Sequence, residues 1–212
     1  MADTSNNLSR RSAWWMEGIQ EGAIGNRFAM KPVIIIDIGH GMGNRRANQF
    51  DPGAVNGTRR EADITLAWGN ELRNILRSRK VAVVRTRVDN QDPAPVSQRA
   101  AIARQYNGTI MLSLHCNSGG GAGTETFYRG AGNLAKARAI NEACRLALGT
   151  RNRGAKTEDQ SQHGRLAVMA FQPTFLLEIG FIDHFGDLNK MIDPALRRAA
   201  CEKIADVLLR IA

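Results

Sequence analysis

From Lys31 onward the chain alternates between two hydrophobic periods. Val33-Ile-Ile-Ile-Asp-Ile38 is continuous and β-branched, the pattern of a strand covered on both faces. Asp63 to Arg79 then places Ile64, Trp68, Leu72, Ile75 and Leu76 at helical spacing. Val81 to Val84 reads as a strand, and Ser97 to Tyr106 as a helix capped by Ser97. Thr109 to Leu114 and Thr124 to Tyr128 read as strands, the second following a glycine-rich turn that suits a hairpin edge. Asn133 to Leu148 reads as a helix stopped by Gly149. Arg151 to Arg165 is polar and reads as a loop, and Leu166 to Met169 and Phe175 to Ile182 look like the last strands. The final helix takes Asp193 as its cap and Pro194 at its first position, and buries Leu196, Ile204, Val207, Leu208 and Ile211. Strands separated by helices of this length predict an α/β fold, a mixed, mainly parallel sheet with helices on both faces in a three-layer sandwich.

Residues 1–30 break the pattern. They hold no strand-like run, and their one amphipathic stretch is Ser12 to Ile24, which predicts a short helix or arm beside a domain over 31–212. The polar start lacks the apolar stretch of a secretory signal, and no apolar run approaches the ~18 residues of a membrane span. The expectation is therefore no transmembrane segment and synthesis in the cytoplasm. The total of 212 residues suits one domain with a short extension, and 43% hydrophobic with 23% charged residues excludes wholesale disorder. Three cysteines, Cys116, Cys144 and Cys201, give no paired framework for disulfides. Lys+Arg 29 against Asp+Glu 20 leaves +9, which predicts attraction to a polyanion: nucleic acid, an anionic membrane or a cell wall.

In open sheets of this kind chemistry gathers beyond the carboxyl ends of the strands. That rule selects Gly39-His40-Gly41, His115-Cys116-Asn117, and Glu178 within Phe175-Leu-Leu-Glu-Ile-Gly180. Glu178 is flanked by apolar residues with no cation nearby in sequence, so its carboxylate costs several kcal/mol unless a metal, a cation or a proton satisfies it. Two imidazoles and one carboxylate form a zinc set that leaves the fourth position open to water. Glu61 offers that carboxylate, although by spacing alone it reads first as a helix-start acid, favoured by the helix dipole and boxed with Thr58. Glu178 would then be free to act as a general base. Gly39-His-Gly-Met-Gly43 mimics a nucleotide loop, but Asn44 stands where the last glycine is required.

These segments carry a resemblance. Ile-Asp-Ile-Gly-His40-Gly, Asp51-Pro-Gly-Ala, Glu61, Ser-Leu-His115-Cys-Asn117 and Leu-Leu-Glu178-Ile-Gly-Phe-Ile182 occur in that order. Together, over Lys31 to Ala212, they resemble the type 3 family of zinc-dependent N-acetylmuramoyl-L-alanine amidases, which hydrolyse peptidoglycan. The resemblance implies one zinc ion per chain held by His40, Glu61 and His115, with Glu178 as the catalytic carboxylate. It implies cleavage of the amide between N-acetylmuramic acid and L-alanine. Without a signal peptide or extra domains the chain looks most like a phage endolysin, made in the host cytoplasm and acting on the wall after release. Cys116 stands where a small residue is common, and strand alternation reads it as packing. Asp183 and His184 stand where an asparagine is common, which bears on the substrate groove.

Asn117 and Glu125 are further candidates for substrate contact, Asn117 alternatively orienting His115 and Glu125 alternatively facing solvent. His163 reads as plain surface. Within enzymes the alternative is a zinc peptidase cutting inside stem peptides. Outside them it is a basic nucleic-acid binder resting on Arg45-Arg46, Arg59-Arg60, Arg77 to Lys80 and Arg197-Arg198, with no zinc-finger or aromatic RNA-binding motif beside them. The charge fits better with electrostatic contact to an anionic wall or outer membrane.

Overall fold

Val33–Ile38 forms the covered strand its β-branched run demands: Ile34, Ile35, Ile36 and Ile38 are all fully buried. In the computed structural model, which describes residues 32–212, this strand is β1 of a six-stranded sheet. The helix or arm expected over residues 1–30 lies outside the described residues. The other strands are β2 (Ala82–Arg85), β3 (Ile110–Asn117), β4 (Thr124–Tyr128), β5 (Asn152–Thr157) and β6 (Thr174–Phe181). Their order is β2-β1-β3-β6-β4-β5. β2, β1, β3 and β6 run parallel, β4 is antiparallel to β6, and β5 is parallel to β4. The sheet is mixed and mainly parallel, as expected.

The hairpin expected between β3 and β4 does not form. β6 lies between them, and the glycine-rich 118–123 segment spans past it. Apolar alternation also misled at Leu166–Met169: Ala167–Ala170 is a 3-10 turn that packs Val168 and Met169 against the sheet. The missing strand is β5, inside the stretch expected to be loop.

Among the described residues five helices cover the sheet: α1 (Glu61–Ser78), α2 (Val96–Gln105), α3 (Leu134–Leu148), α4 (Phe185–Ile192) and α5 (Pro194–Ile211). Ile34, Ile36, Ile38, Leu112, Leu114, Phe175, Leu177 and Ile179 face one core, shared with α1, α3 and α5. Trp68 of α1 is fully buried there and its Nε1 donates to the Met191 carbonyl at 2.9 Å. Complete burial of such side chains contributes ~1.5–3 kcal/mol each. Ile35, Met111, Leu176 and Phe127 face a second core with Ala100 and Ala103 of α2. The helix ends follow local chemistry. Asp193 accepts from the amides of Ala195 and Leu196 to start α5, and Gly149 ends α3 in the left-handed region. α2 begins at Val96 after Pro95, without the Ser97 cap expected. α1 begins at Glu61, two residues early, with Arg60 at the cap position and no box to Thr58.

Candidate active site

Strand alternation decides which side chains meet. On β3, Leu112, Leu114 and Cys116 face the α1 core, so Ser113, His115 and Asn117 face the other side. On β6, Leu177 and Ile179 face the α1 core, which puts Glu178 on the side of His115. Glu178 is registered against His115 on one neighbour and Glu125 on the other, giving a row of three functional side chains across the sheet. Cys116 is buried in the α1 core, as its alternation predicted.

His40 follows β1 in the left-handed region, with φ 60°. Such a backbone costs a β-carbon-bearing residue ~1–2 kcal/mol, and its neighbours hold it there. Arg99 Nη2 donates to the His40 carbonyl at 2.8 Å, while its Nη1 pairs with the buried Asp37 at 2.8 Å. His40 Nδ1 meets Asp51 Oδ2 at 3.1 Å, turning Nε2 to Glu61 Oε1 at 3.0 Å. His115 Nδ1 meets the same Glu61 oxygen at 2.9 Å, and the two imidazole centroids are 5.0 Å apart. Glu61 is further fixed by the amides of Cys116 at Oε1 and Ala54 at Oε2, each at 2.9 Å. Gly53 lies against this pair with φ +68°; a β-carbon there would stand 2.6 Å from Glu61 Oε2. Glycine is therefore required for the Asp51–Ala54 segment to pass.

The three side chains offer ligand atoms that all lie within 4.8 Å of one another. Burial alone would lower the His40 imidazole, but the bonds to Asp51 and Glu61 overturn this and push it from 6.5 up to about 9. Burial likewise opposes ionisation of Glu61, and the His115 and His40 bonds hold its carboxyl well below the usual range. A cation is thus what this pocket stabilises. Two imidazole nitrogens and one carboxylate oxygen, with Asp51 orienting one ring from behind, fit a metal ion displacing that proton.

Glu178 differs from Glu61. Its Oε2 is buried without a hydrogen-bond partner. Burial, with the Glu61 and Glu125 charges nearby, pushes its carboxyl well above the usual range. An unsatisfied acid beside a metal-fitting cluster is a recognisable site for proton transfer. Glu125 does not face solvent: it is buried, and accepts from Asn117 Nδ2 at 2.7 Å, Arg153 Nε at 2.7 Å and Lys156. Asn117 therefore bonds to Glu125 and not to His115. Asp183 is exposed and accepts from the Gly119 and Gly120 amides, so it holds the glycine-rich segment while His184 caps α4. These residues and His163 surround an open cleft of about 900 Å³, apart from Asp183, His184 and Asp51, which lie outside its lining. Sequence reasoning did not foresee the roles of Asp51, Arg99, Arg153 or Lys156. Asp51 was visible within a motif, but only the fold shows it behind His40.

The sequence of residues 34–210 matches the Amidase_3 family, described as N-acetylmuramoyl-L-alanine amidase. The chain is 30% identical over 182 residues to N-acetylmuramoyl-L-alanine amidase CwlM of Bacillus licheniformis, covering 84% of this chain and 67% of that protein. It is 31% identical over 163 residues to the sporulation-specific N-acetylmuramoyl-L-alanine amidase of Bacillus subtilis (strain 168), covering 74% of this chain and 59% of the relative. Among solved structures, the catalytic domain of the amidase CwlV from Bacillus (Paenibacillus) polymyxa var. colistinus superposes with a TM-score of 0.73 at 27% identity, covering 84% of this chain and 97% of that one. An N-acetylmuramoyl-L-alanine amidase from Clostridium difficile 630 gives 0.73 at 25% identity, covering 85% and 96%. With a histidine–glutamate–histidine cluster at its strand ends, this chain belongs to the Amidase_3 family of N-acetylmuramoyl-L-alanine amidases.

Proposed function

We propose that the protein hydrolyses the amide joining the lactyl group of N-acetylmuramic acid to L-alanine of the peptidoglycan stem, with one zinc ion held by His40, Glu61 and His115. The observation that carries this reading is the convergence of those three ligand atoms beside the unpartnered oxygen of Glu178. When bound, zinc supplies Lewis acidity that polarises the scissile carbonyl and acidifies water. Glu178 takes the proton of the attacking water on a carboxylate oxygen and delivers it to the alanine amine as the C–N bond breaks. Burial, with the Glu61 and Glu125 charges nearby, raises the affinity of its carboxyl for that proton. Asp51 keeps the His40 ring oriented, and Arg99 keeps its backbone in place. We further read the chain as a wall-lysing enzyme, a reading supported by the family match.

The test is the products formed from purified peptidoglycan. New L-alanine amino ends on intact stem peptides are expected; cleavage inside the stems would overturn the assignment. Glu178→Gln should retain zinc and fold while losing ~10³-fold in rate.

A further inference from the structure

The far end of the cleft carries a cationic pair that the hydrolytic step does not use. Arg153 and Lys156 stand on β5, the edge strand, and both reach one oxygen of the buried Glu125. The other Glu125 oxygen is taken by Asn117. One carboxylate therefore anchors two cations, leaving one net positive charge at the cleft wall. Arg153 bonds only through Nε, and its guanidinium carbon lies 4.8 Å over the Phe181 ring. Among the described residues its terminal nitrogens have no hydrogen-bond partner. Arg165, exposed on the loop after β5, lines the same cleft and adds to the field. A guanidinium fixed at Nε by a carboxylate and stacked on an aromatic ring is pre-organised to present its free edge to a planar anion.

We propose that Arg153 and Lys156, held in place by Glu125, form a subsite for a carboxylate of the stem peptide on the leaving-amine side of the scissile bond. This deepens the amidase reading and rests on it. The distance agrees. His115, Glu178 and Glu125 are successive partners across three strands, so Glu125 stands two strand spacings, ~10 Å, from His115. An extended peptide advances ~3.4 Å per residue, which puts the second or third residue at this point. The carboxylate could be the α-carboxylate of a γ-linked D-glutamate at the second position or the side-chain carboxylate of a diamino acid at the third.

Three synthetic peptides separate these sources, each with its C-terminus amidated, titrated calorimetrically into the zinc-loaded full chain. One is L-Ala-γ-D-Glu-L-Lys with the glutamate α-carboxylate free, one has that group amidated, and one is amidated there but carries meso-diaminopimelate third. Wild type should bind a carboxylate-bearing peptide about tenfold tighter than the uncharged one, the discrimination expected of a charge-assisted pair. Arg153→Gln with Lys156→Gln should abolish that preference and raise KM with little change in kcat, and Arg153→Lys with wild-type Lys156 should restore part of it. Equal affinity of wild type for all three peptides, or no binding of any, overturns the proposal without requiring any variant to fold. Cleavage is read separately by mass spectrometry on the matching muramyl peptides. Cleavage at the sugar junction without carboxylate preference overturns the subsite alone. Carboxylate-selective binding without that cleavage supports the anion site and overturns the amidase reading.

Discussion

Removing Arg99 should both destabilise the fold and loosen the metal site. Its side chain is 1% exposed and donates to Asp37 Oδ1, the carbonyls of Ile38, His40 and Ala94, and Asn44 Oδ1, at 2.6 to 3.0 Å. Arg99→Leu leaves Asp37 fully buried with only the Thr86 and Ser113 hydroxyls. Breaking one side of such a buried pair costs ~3–5 kcal/mol. With a urea slope of ~2–3 kcal/mol/M, the midpoint should fall by ~1–2.5 M. The freed His40 carbonyl also loses its anchor in the left-handed region, so zinc affinity should drop ~10–100-fold, as for other residues that orient a ligand. Burial opposes ionisation of Asp37, yet Arg99 and Ser113 hold its carboxyl below the usual range. The pair's contribution is therefore present above the ordinary carboxylate value and lost as pH falls through the depressed one. Urea melts of metal-free wild type and variant at pH 7 and pH 3 measure both effects. A midpoint shift below ~0.5 M at pH 7, or a gap that widens on acidification, would refute the reasoning.

The metal-free protein should also lose stability as pH rises. His40 is raised from 6.5 to about 9, so its contribution is complete below pH 6.5 and disappears through pH 9, by at most ~3 kcal/mol, whereas zinc-loaded protein, needing neutral imidazole, should show no such loss in urea melts across that range. Gly53→Ala should cut zinc affinity at least tenfold in a competitive chelator titration, because the added carbon meets Glu61 Oε2 and the backbone is left-handed. Glu178→Gln should raise metal-free stability at pH 8, since a carboxyl whose folded value is elevated opposes folding once the unfolded chain ionises; an unchanged or lower urea midpoint would contradict the burial assigned to it. If the +9 charge brings the enzyme to an anionic wall, lytic rate should fall with added salt, and a flat or rising rate would remove that role.

Much of this architecture was legible in the sequence because burial imposes periodicity. Ile34 to Ile38 and the α1 spacing of Ile64, Trp68 and Leu72 leave little choice of element. β5 was hidden because Asn-Arg-Gly-Ala-Lys-Thr has no apolar alternation; an edge strand half open to solvent is held by main-chain pairing to β4 instead. The insertion of β6 between β3 and β4 was equally hidden, since sequential strands are the ordinary neighbours and only long-range packing says otherwise. In the site, His40 and His115 stood out at the ends of buried strands. Glu61 did not, because an acid at the first turn of a helix already has a local reason to be there. Its carboxylate joins the imidazoles only once α1 is docked beside β1 and β3. Arg153 and Lys156 looked like ordinary loop charges until β5 brought them to Glu125.

The most direct test of the central claim is anomalous diffraction at the zinc edge from crystals of the full chain grown with zinc. One peak per chain is expected, within coordination distance of His40, Glu61 and His115 and beside Glu178. A peak elsewhere, or those three side chains bound to no common ion despite ample zinc, would contradict it.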